Sequence, residues 1–254
     1  MIIQNDEEKE VLREGGRRLA RILGALKEKV LPGISTLDLE TLTRDLINEG
    51  GDKAAFLGYS PRGAKRPFPA ALCVSVNEEI VHGIPNEDPR ILQEGDIVTL
   101  DLGLAHKGLI TDSAITVGVG KISTSSKQLM NATRECLNAG IRACRAGGTT
   151  GDIGHAIEEE SKKYPFGLVR DLGGHGVGRK VHDEPYVPNF GTQGEGDMLE
   201  FGQVIAIEPQ LTLGRGEIEL AKDGYTYETR DGSVSAHFEH TVLVTEGGCE
   251  VLTS

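Results

Sequence analysis

The stretch Glu94–Gly118, EGDIVTLDLGLAHKGLITDSAITVG, predicts a β-hairpin around which the rest of the chain is organised. Two apolar-rich runs flank a short polar turn, a pattern typical of paired strands. With the turn centred on His106 and Lys107, facing residues have numbers that sum to 213, which places Asp101 directly opposite Asp112. Opposed Cβ atoms are about 4.5–5.5 Å apart, and opposed like charges are destabilising. A bound divalent cation is the simplest way to compensate the two negative charges. If the hairpin is considered alone, the alternative is that one Asp lies in the turn and the other faces water.

Length and composition indicate an acidic, globular, soluble protein. The chain has 254 residues, 38% hydrophobic residues and a net charge of −12, which argues against nucleic acid as a partner. No apolar run approaches the ~18 residues of a membrane span. The acidic N-terminus, MIIQNDEEKE, lacks the pattern of a signal peptide, so we expect a cytoplasmic protein without membrane contact. The four cysteines lack framework spacing, and Cys136 and Cys144 are predicted to pack in the core.

Apolar residues at helical spacing predict two helices in each half of the chain. The predicted helices cover residues about 6–30, residues from Ser35 or Thr36 to Gly50, residues about 123–145, and residues 151–164. Asn5 or Asp6 is the predicted cap of the first helix, and Leu37 is among the residues expected to face inward from the second.

The second half repeats the order of the first. Thr36 and Asp38 match Thr150 and Asp152 at an offset of 114, and the segments VHGIP and VHDEP match at an offset of 100. These matches predict a duplicated ααββ unit, with chance similarity as the alternative. We therefore expect a single domain over residues 1–254 with pseudo-repeats at about 5–120 and 121–254.

A second pair of carboxylates follows from the same arithmetic. Asp223-Gly224 is a strong turn signal, and facing residues then have numbers that sum to 447, which pairs Glu208 with Glu239. One bulge along this long ladder would shift the register. Four carboxylates aimed inward from two hairpins would require a cation.

A glycine-rich run supplies a nitrogen ligand. In GGHGVGR, residues 173–179, glycines allow the backbone to pass close to a ligand, and His175 lies at the centre. Two Asp, two Glu and one His suit two close divalent ions of the Mn, Fe, Co or Zn kind. Two metal ions at such close distance are used by enzymes that catalyse hydrolysis.

These residues resemble a known family, the methionine aminopeptidases of type I, which have the pita-bread fold. The resemblance spans essentially the whole chain and rests on SVNEEIVHGIP (75–85), DIVTLDLGLAHKGLITDSA (96–114), GGHGVGRKVHDEP (173–185), GQVIAIEPQL (202–211) and FEHTVLVTEGGCEVLT (238–253). It implies an α+β fold in which helices cover a curved antiparallel sheet. The implied activity is removal of the N-terminal methionine from nascent proteins and peptides, with preference for a small second residue.

The resemblance also implies roles for single residues. The five implied ligands of two metal ions are Asp101, Asp112, His175, Glu208 and Glu239. Asp112 and Glu239 resemble the bridging carboxylates, and His175 and Glu208 resemble partners of one ion. Glu208 is also the implied proton acceptor, His82 the implied contact to the scissile amide, and His182 the implied donor to the developing oxyanion.

The implied methionine pocket departs from the family pattern. Tyr59 and Cys73 match pocket positions, whereas Val181 stands where Phe is common and Tyr225 where a larger aromatic often lies. The loop at about 61–71 is longer than in familiar members and borders the same pocket. The other four histidines, His106, His155, His237 and His240, are expected to be structural. His237 alternates onto the Glu239 face, so a place near the metals is its alternative.

Two other functions remain open at this point. An Xaa-Pro dipeptidase or aminopeptidase P has the same fold, although such enzymes usually carry a large N-terminal domain. A non-catalytic binding protein of this fold is expected to lack one or more ligands. We expect a monomer that acts on the N-terminal methionine of nascent polypeptides near the ribosome.

Overall fold

A computed structural model describes residues 1–61 and 63–254. Within these residues there are four helices: α1 (Asp6–Lys27), α2 (Thr36–Glu49), α3 (Thr124–Ala143) and α4 (Thr150–Ser161). The strands are β1 (Lys53–Ala54), β2 (Cys73–Val76), β3 (Glu79–Val81), β4 (Ile97–His106), β5 (Leu109–Gly118), β6 (Gly167–Leu168), β7 (Gly173–Gly176), β8 (Asp183–Pro188), β9 (Val204–Ile207), β10 (Gln210–Thr212), β11 (Ile218–Leu220), β12 (Tyr227–Thr229), β13 (Ser235–His237), β14 (His240–Thr245) and β15 (Gly248–Val251). In the described part of the chain, no helix is long and apolar enough to cross a membrane.

The helices begin where side chains satisfy their free backbone N–H groups. Asn5 caps α1, as one of the two predicted caps. Ser35 and Asp38 form a capping box at the start of α2, and Thr149 and Asp152 form the same box at the start of α4. The two boxes lie 114 residues apart, as the sequence offset requires. The duplication itself stays a prediction.

Three details of the predicted helices are wrong. Helix α4 ends at Ser161, three residues before the predicted end, because the backbone N–H groups of Lys163 and Tyr164 form tighter turn bonds to Glu160 and Ser161. Helix α1 ends at Lys27, three residues before the predicted end, because the backbone N–H groups of Lys29 and Val30 form tighter turn bonds to Leu26 and Lys27. Leu37 is 42% exposed, whereas Thr36 and Glu40 of the same helix are buried. Their polar atoms have partners more than 30 residues away in the sequence, which the apolar spacing does not reveal. Thr36 donates to the carbonyl of Pro85, and Glu40 accepts from the backbone N–H groups of the segment before β2.

The central hairpin forms, but its predicted register is wrong by two residues. Asp101 pairs with Ala114, and Asp112 pairs with Gly103. The turn is centred on Lys107 and Gly108, both of which have positive φ, as a tight hairpin turn requires. A shift of two residues preserves the side-chain face. The two aspartates therefore lie on one face of the sheet as diagonal neighbours.

The second hairpin keeps the predicted register along its length. Strands β9 and β14, β10 and β13, and β11 and β12 all pair antiparallel, and the numbers of each pair sum to 447, as for Ile207 with His240. The end loop is centred on Asp223 and Gly224 and is closed by the N–H of Ala221 and the carbonyl of Thr226.

The core lies between helices and sheet in each half. Helices α1 and α2 pack on β2 and β4, and α3 and α4 pack on β8, β9 and β14. Cys136 and Cys144 are buried in the second cluster, as predicted. Strand β5 meets the segment between β13 and β14, where the N–H of Glu239 donates to the carbonyl of Ala114 and Ser113 donates to that of Glu239. This junction brings the two halves together at the site.

Candidate metal centre

The five predicted metal ligands lie in one cleft, although they come from different strands. Asp101 is on β4, Asp112 on β5 and His175 on β7, while Glu208 directly follows β9 and Glu239 directly precedes β14. One donor atom from each of Asp112, His175 and Glu239 lies within 4.8 Å of the other two. Nε2 of His175 is 3.5 Å from Oε1 of Glu208.

The carboxyl groups are buried close together. Burial raises the pKa of Asp112 to about 7. Burial first, and neighbouring carboxylates second, raise the pKa of Asp101, Glu208 and Glu239 well above their usual range. Within residues 1–61 and 63–254, one oxygen each of Asp101, Asp112 and Glu239 is buried without a hydrogen-bond partner. Buried carboxylates without protein donors are suited to cation binding.

The ring of His175 is oriented as a metal ligand requires. Its Nδ1 lies 3.0 Å from the carbonyl oxygen of Gly176, to which an Nδ1–H donates, so that Nε2 keeps its lone pair towards the carboxylates. Burial lowers the pKa of His175 to about 3, which favours the neutral ring. Four carboxylates and one neutral imidazole fit divalent ions of the Mn, Fe, Co or Zn kind.

Two further predicted histidines line the same cleft. His82 follows β3 with φ of 60°, an uncommon conformation for a residue other than glycine. Such backbone outliers cluster at functional sites. Burial and His182 lower the pKa of His82 to about 4. The ring of His182 lies 4.4 Å from that of His175.

Two polar side chains that orient Glu208 were missed by the sequence reasoning. Gln210 Nε2 donates to Oε2 of Glu208 at 2.9 Å, and Asn189 Nδ2 donates to Oε1 of Gln210 at 3.0 Å. Gln210 lies two residues after Glu208 on a predicted strand, and this spacing could have revealed it. Asn189 lies on a separate segment, and its spacing relative to Glu208 carries no such signal.

His237 lies near the predicted metal ligands. From the sequence, this position was the alternative to a purely structural role. Its Nε2 is 3.7 Å from Oε2 of Glu208, and neither ring nitrogen has a hydrogen-bond partner in the described part of the chain. Burial and His82 lower the pKa of His237 to about 3.

An aromatic pocket adjoins the metal ligands and contains the three predicted pocket residues. The cleft has about 550 Å³ of space, and Tyr59, Cys73 and Tyr225 line it. Phe56 and Phe68, which the sequence reasoning missed, also line it. The rings of Phe68 and Tyr225 meet edge to face at 5.2 Å.

Val181 and the loop at about 61–71 contribute to the region around this pocket in different ways. Val181 packs with Phe56 and Phe68 in the same buried cluster but lies outside the cleft lining. Phe68 comes from the loop at about 61–71, of which Arg62 lies outside the described residues. The loop therefore supplies an aromatic side chain to this wall.

Comparison with known proteins gives matches along the whole chain. A model of metallopeptidase family M24 matches residues 10–246. A methionine aminopeptidase of Aquifex aeolicus is 44% identical over 99% of this chain and 98% of its own length. The crystal structure of a methionine aminopeptidase from Thermotoga maritima superposes with a TM-score of 0.94 at 40% identity and covers 100% of both chains.

A more distant similarity concerns the fold alone. An Xaa-Pro dipeptidase from Bacillus anthracis has a TM-score of 0.77 at 21% identity, and the match covers 62% of that chain. The five motifs identified in the sequence thus lie in a chain that matches the methionine aminopeptidases of Aquifex aeolicus and Thermotoga maritima over essentially the full length of both chains.

Proposed function

This chain belongs to metallopeptidase family M24 and, within it, to the methionine aminopeptidases, and we propose that two divalent ions bound in its cleft serve removal of N-terminal methionine from nascent polypeptides. The predicted family, the α+β pita-bread fold and a metal-dependent aminopeptidase activity are confirmed. The proposal concerns the ligands, the number of ions and the roles of single residues.

The observation that carries the proposal is the convergence of four buried carboxylates and one neutral histidine. Three of the carboxylates have an oxygen without a protein partner. Metal binding requires the carboxylates in their ionised form, and four of them carry more charge than one divalent ion neutralises, which supports two ions. The proposed ligands are Asp101, Asp112, His175, Glu208 and Glu239.

The proposed chemistry divides among the residues around the scissile bond. The bound ions would polarise the peptide carbonyl and acidify water. Glu208, held by Gln210, accepts a proton from the attacking water and returns it to the leaving amine. His182 donates a hydrogen bond to the carbonyl oxygen as negative charge develops there. His82 contacts the scissile amide.

The aromatic pocket is the proposed site for the methionine side chain. Tyr59, Cys73 and Tyr225 line it, and burial raises the pKa of the Cys73 thiol, which keeps it a neutral, weakly polar wall. A flexible thioether makes favourable contacts with aromatic rings. Preference for a small second residue, action as a cytoplasmic monomer and a place near the ribosome belong to the same proposal.

The first test is release of free methionine by metal-free protein with and without added Mn(II) or Co(II). Met-Ala-Ser, Leu-Ala-Ser and Ala-Pro-Ala serve as substrates, and Met-Leu-Ser tests the second residue. We expect metal-dependent cleavage of Met-Ala-Ser alone. Cleavage of the proline peptide instead would support the Xaa-Pro peptidase, and absence of turnover with metal bound would support a binding protein.

A pair of variants tests the ligand set. Asp112→Asn is expected to lower the number of Mn(II) ions bound, measured by titration calorimetry, and to abolish methionine release. Asp45→Asn is the matched control, because Asp45 is exposed on α2 outside the cleft. Equal metal binding by the two variants would contradict the assignment of Asp112.

A further inference from the structure

A hydrogen bond joins the aromatic pocket to a histidine of the cleft. The hydroxyl of Tyr59 lies 3.0 Å from Nδ1 of His182, and the two rings meet edge to face at 5.3 Å. The bond crosses 123 residues of sequence, and nothing in the motifs predicts it. Tyr59 thus has a contact that binding of an apolar side chain does not require.

Tyr59 is held firmly at its backbone. Its N–H donates to the carbonyl of Phe56 at 2.9 Å, and its carbonyl accepts from the N–H of Phe68 at 2.8 Å. Gly58 adds a third bond, from its N–H to the carbonyl of Phe68. The base of the loop is therefore closed on both sides of Tyr59, which places its hydroxyl at a defined position.

The direction of the bond follows from the available partners. Within residues 1–61 and 63–254, the Tyr59 hydroxyl has no other hydrogen-bond partner, so donation to Nδ1 is the arrangement that uses its proton within the protein. Burial, and Tyr225 to a lesser extent, raise the pKa of Tyr59, so the phenol keeps that proton at neutral pH. A neutral imidazole that accepts at Nδ1 carries its own proton on Nε2.

We propose that Tyr59 is a positioning residue whose hydroxyl donates to Nδ1 of His182 and fixes the tautomer with the proton on Nε2. Nε2 is then the nitrogen that donates to the oxygen of the scissile carbonyl. This last step rests on the proposed function of His182. The hydrogen bond and the tautomer do not.

The direct test is nitrogen NMR of the histidine rings in the full chain, metal-free and loaded with diamagnetic Zn(II). In wild type, His182 is expected to show an unprotonated Nδ1 and a protonated Nε2. Tyr59→Phe is expected to shift the Nδ1 signal and to give a mixture of tautomers. Tyr225→Phe removes the other pocket hydroxyl, which is bonded to the carbonyl of Arg66, and is expected to leave the His182 signals unchanged. A protonated Nδ1 in wild type, or unchanged signals in Tyr59→Phe, would overturn the proposal.

Kinetics on Met-Ala-Ser separate positioning from pocket packing. Tyr59→Phe is expected to lower kcat about tenfold, the scale of one lost hydrogen bond, with little change in KM. In the His182→Ala background the same substitution is expected to have no further effect on kcat. An equal loss in both backgrounds, or a loss confined to KM, would assign Tyr59 to the pocket alone. If wild type releases no methionine, the proposed function fails, while the NMR result still decides the hydrogen bond.

Discussion

Gly174→Ala is predicted to damage the metal centre without touching a ligand. Gly174 lies on β7 next to His175, and a Cβ added there would be 2.1 Å from the carbonyl oxygen of Ala206 on β9. Ordinary contact begins at 3.4 Å, so the two strands would have to separate by about 1.3 Å. Strand β9 leads directly to Glu208, so this separation alters the 3.5 Å distance between His175 and Glu208.

The size of the effect follows from the tolerance of metal sites. Ligand distances are held within about 0.2 Å, and even loss of an outer-shell partner lowers affinity about 10–100-fold. We expect the affinity of Gly174→Ala for Mn(II), measured by titration calorimetry, to fall by at least about tenfold. Overpacking is expected to lower the free energy of unfolding of the metal-free protein by about 1–3 kcal/mol.

The control is the same substitution at a glycine with free space around it. Gly24 is exposed within α1, and nothing lies within 4 Å of an added Cβ. Gly24→Ala is expected to raise the free energy of unfolding by up to about 1 kcal/mol and to leave Mn(II) affinity unchanged. Wild-type Mn(II) affinity in Gly174→Ala would refute the claim that close contact of β7 and β9 sets the ligand geometry.

Three other predictions concern the pocket, a helix cap and a surface ion pair. Phe68→Ala is expected to raise KM for Met-Ala-Ser with little change in Mn(II) affinity, and an unchanged KM would place the methionine elsewhere. Thr149→Ala is expected to lower the free energy of unfolding by about 1 kcal/mol in urea denaturation, because it removes an acceptor for the N–H of Asp152; no loss would contradict the capping role. The two bonds from Arg13 lower the pKa of Glu250, so this pair stabilises the protein above the usual Glu pKa of 4.5 and loses that effect as pH falls. Glu250→Gln is therefore expected to cost up to about 1 kcal/mol in urea denaturation at pH 7 and less at pH 4, and an equal cost at both pH values would contradict the ionic origin.

The sequence predicted that Asp101 and Asp112 lie on the same face of the hairpin, and this holds even though the register was wrong. Side chains alternate between the two faces of a strand, so a shift by an even number of residues leaves each side chain on its face. The pairing of Asp101 with Asp112 was wrong by two residues, yet both lie on one face. The register predicted for Glu208 and Glu239 is found in the pairs on either side of them, for a different reason. The register of the second hairpin is continuous from its turn to the junction of the two halves, so counting from the turn remains valid.

Contacts between distant segments could not be predicted in this way. The bond from Tyr59 to His182 and that from Asn189 to Gln210 join segments that no common turn relates. Such contacts depend on the three-dimensional arrangement of sheets, which neither periodicity nor spacing encodes.

The junction between the halves explains why Asp112 and Glu239 each keep a carboxylate oxygen without a protein partner among the described residues. Thr241 accepts from the N–H of Asp112 and donates to its carbonyl. Ser113 donates to the carbonyl of Glu239, whose N–H donates to the carbonyl of Ala114. Hydroxyl groups and backbone thus satisfy the main chain of both acidic residues, while one oxygen of each side chain has no partner in the described part of the chain. Because the main chain needs nothing further, both side chains keep a buried carboxylate oxygen that no donor within residues 1–61 and 63–254 occupies, an arrangement suited to a bound cation.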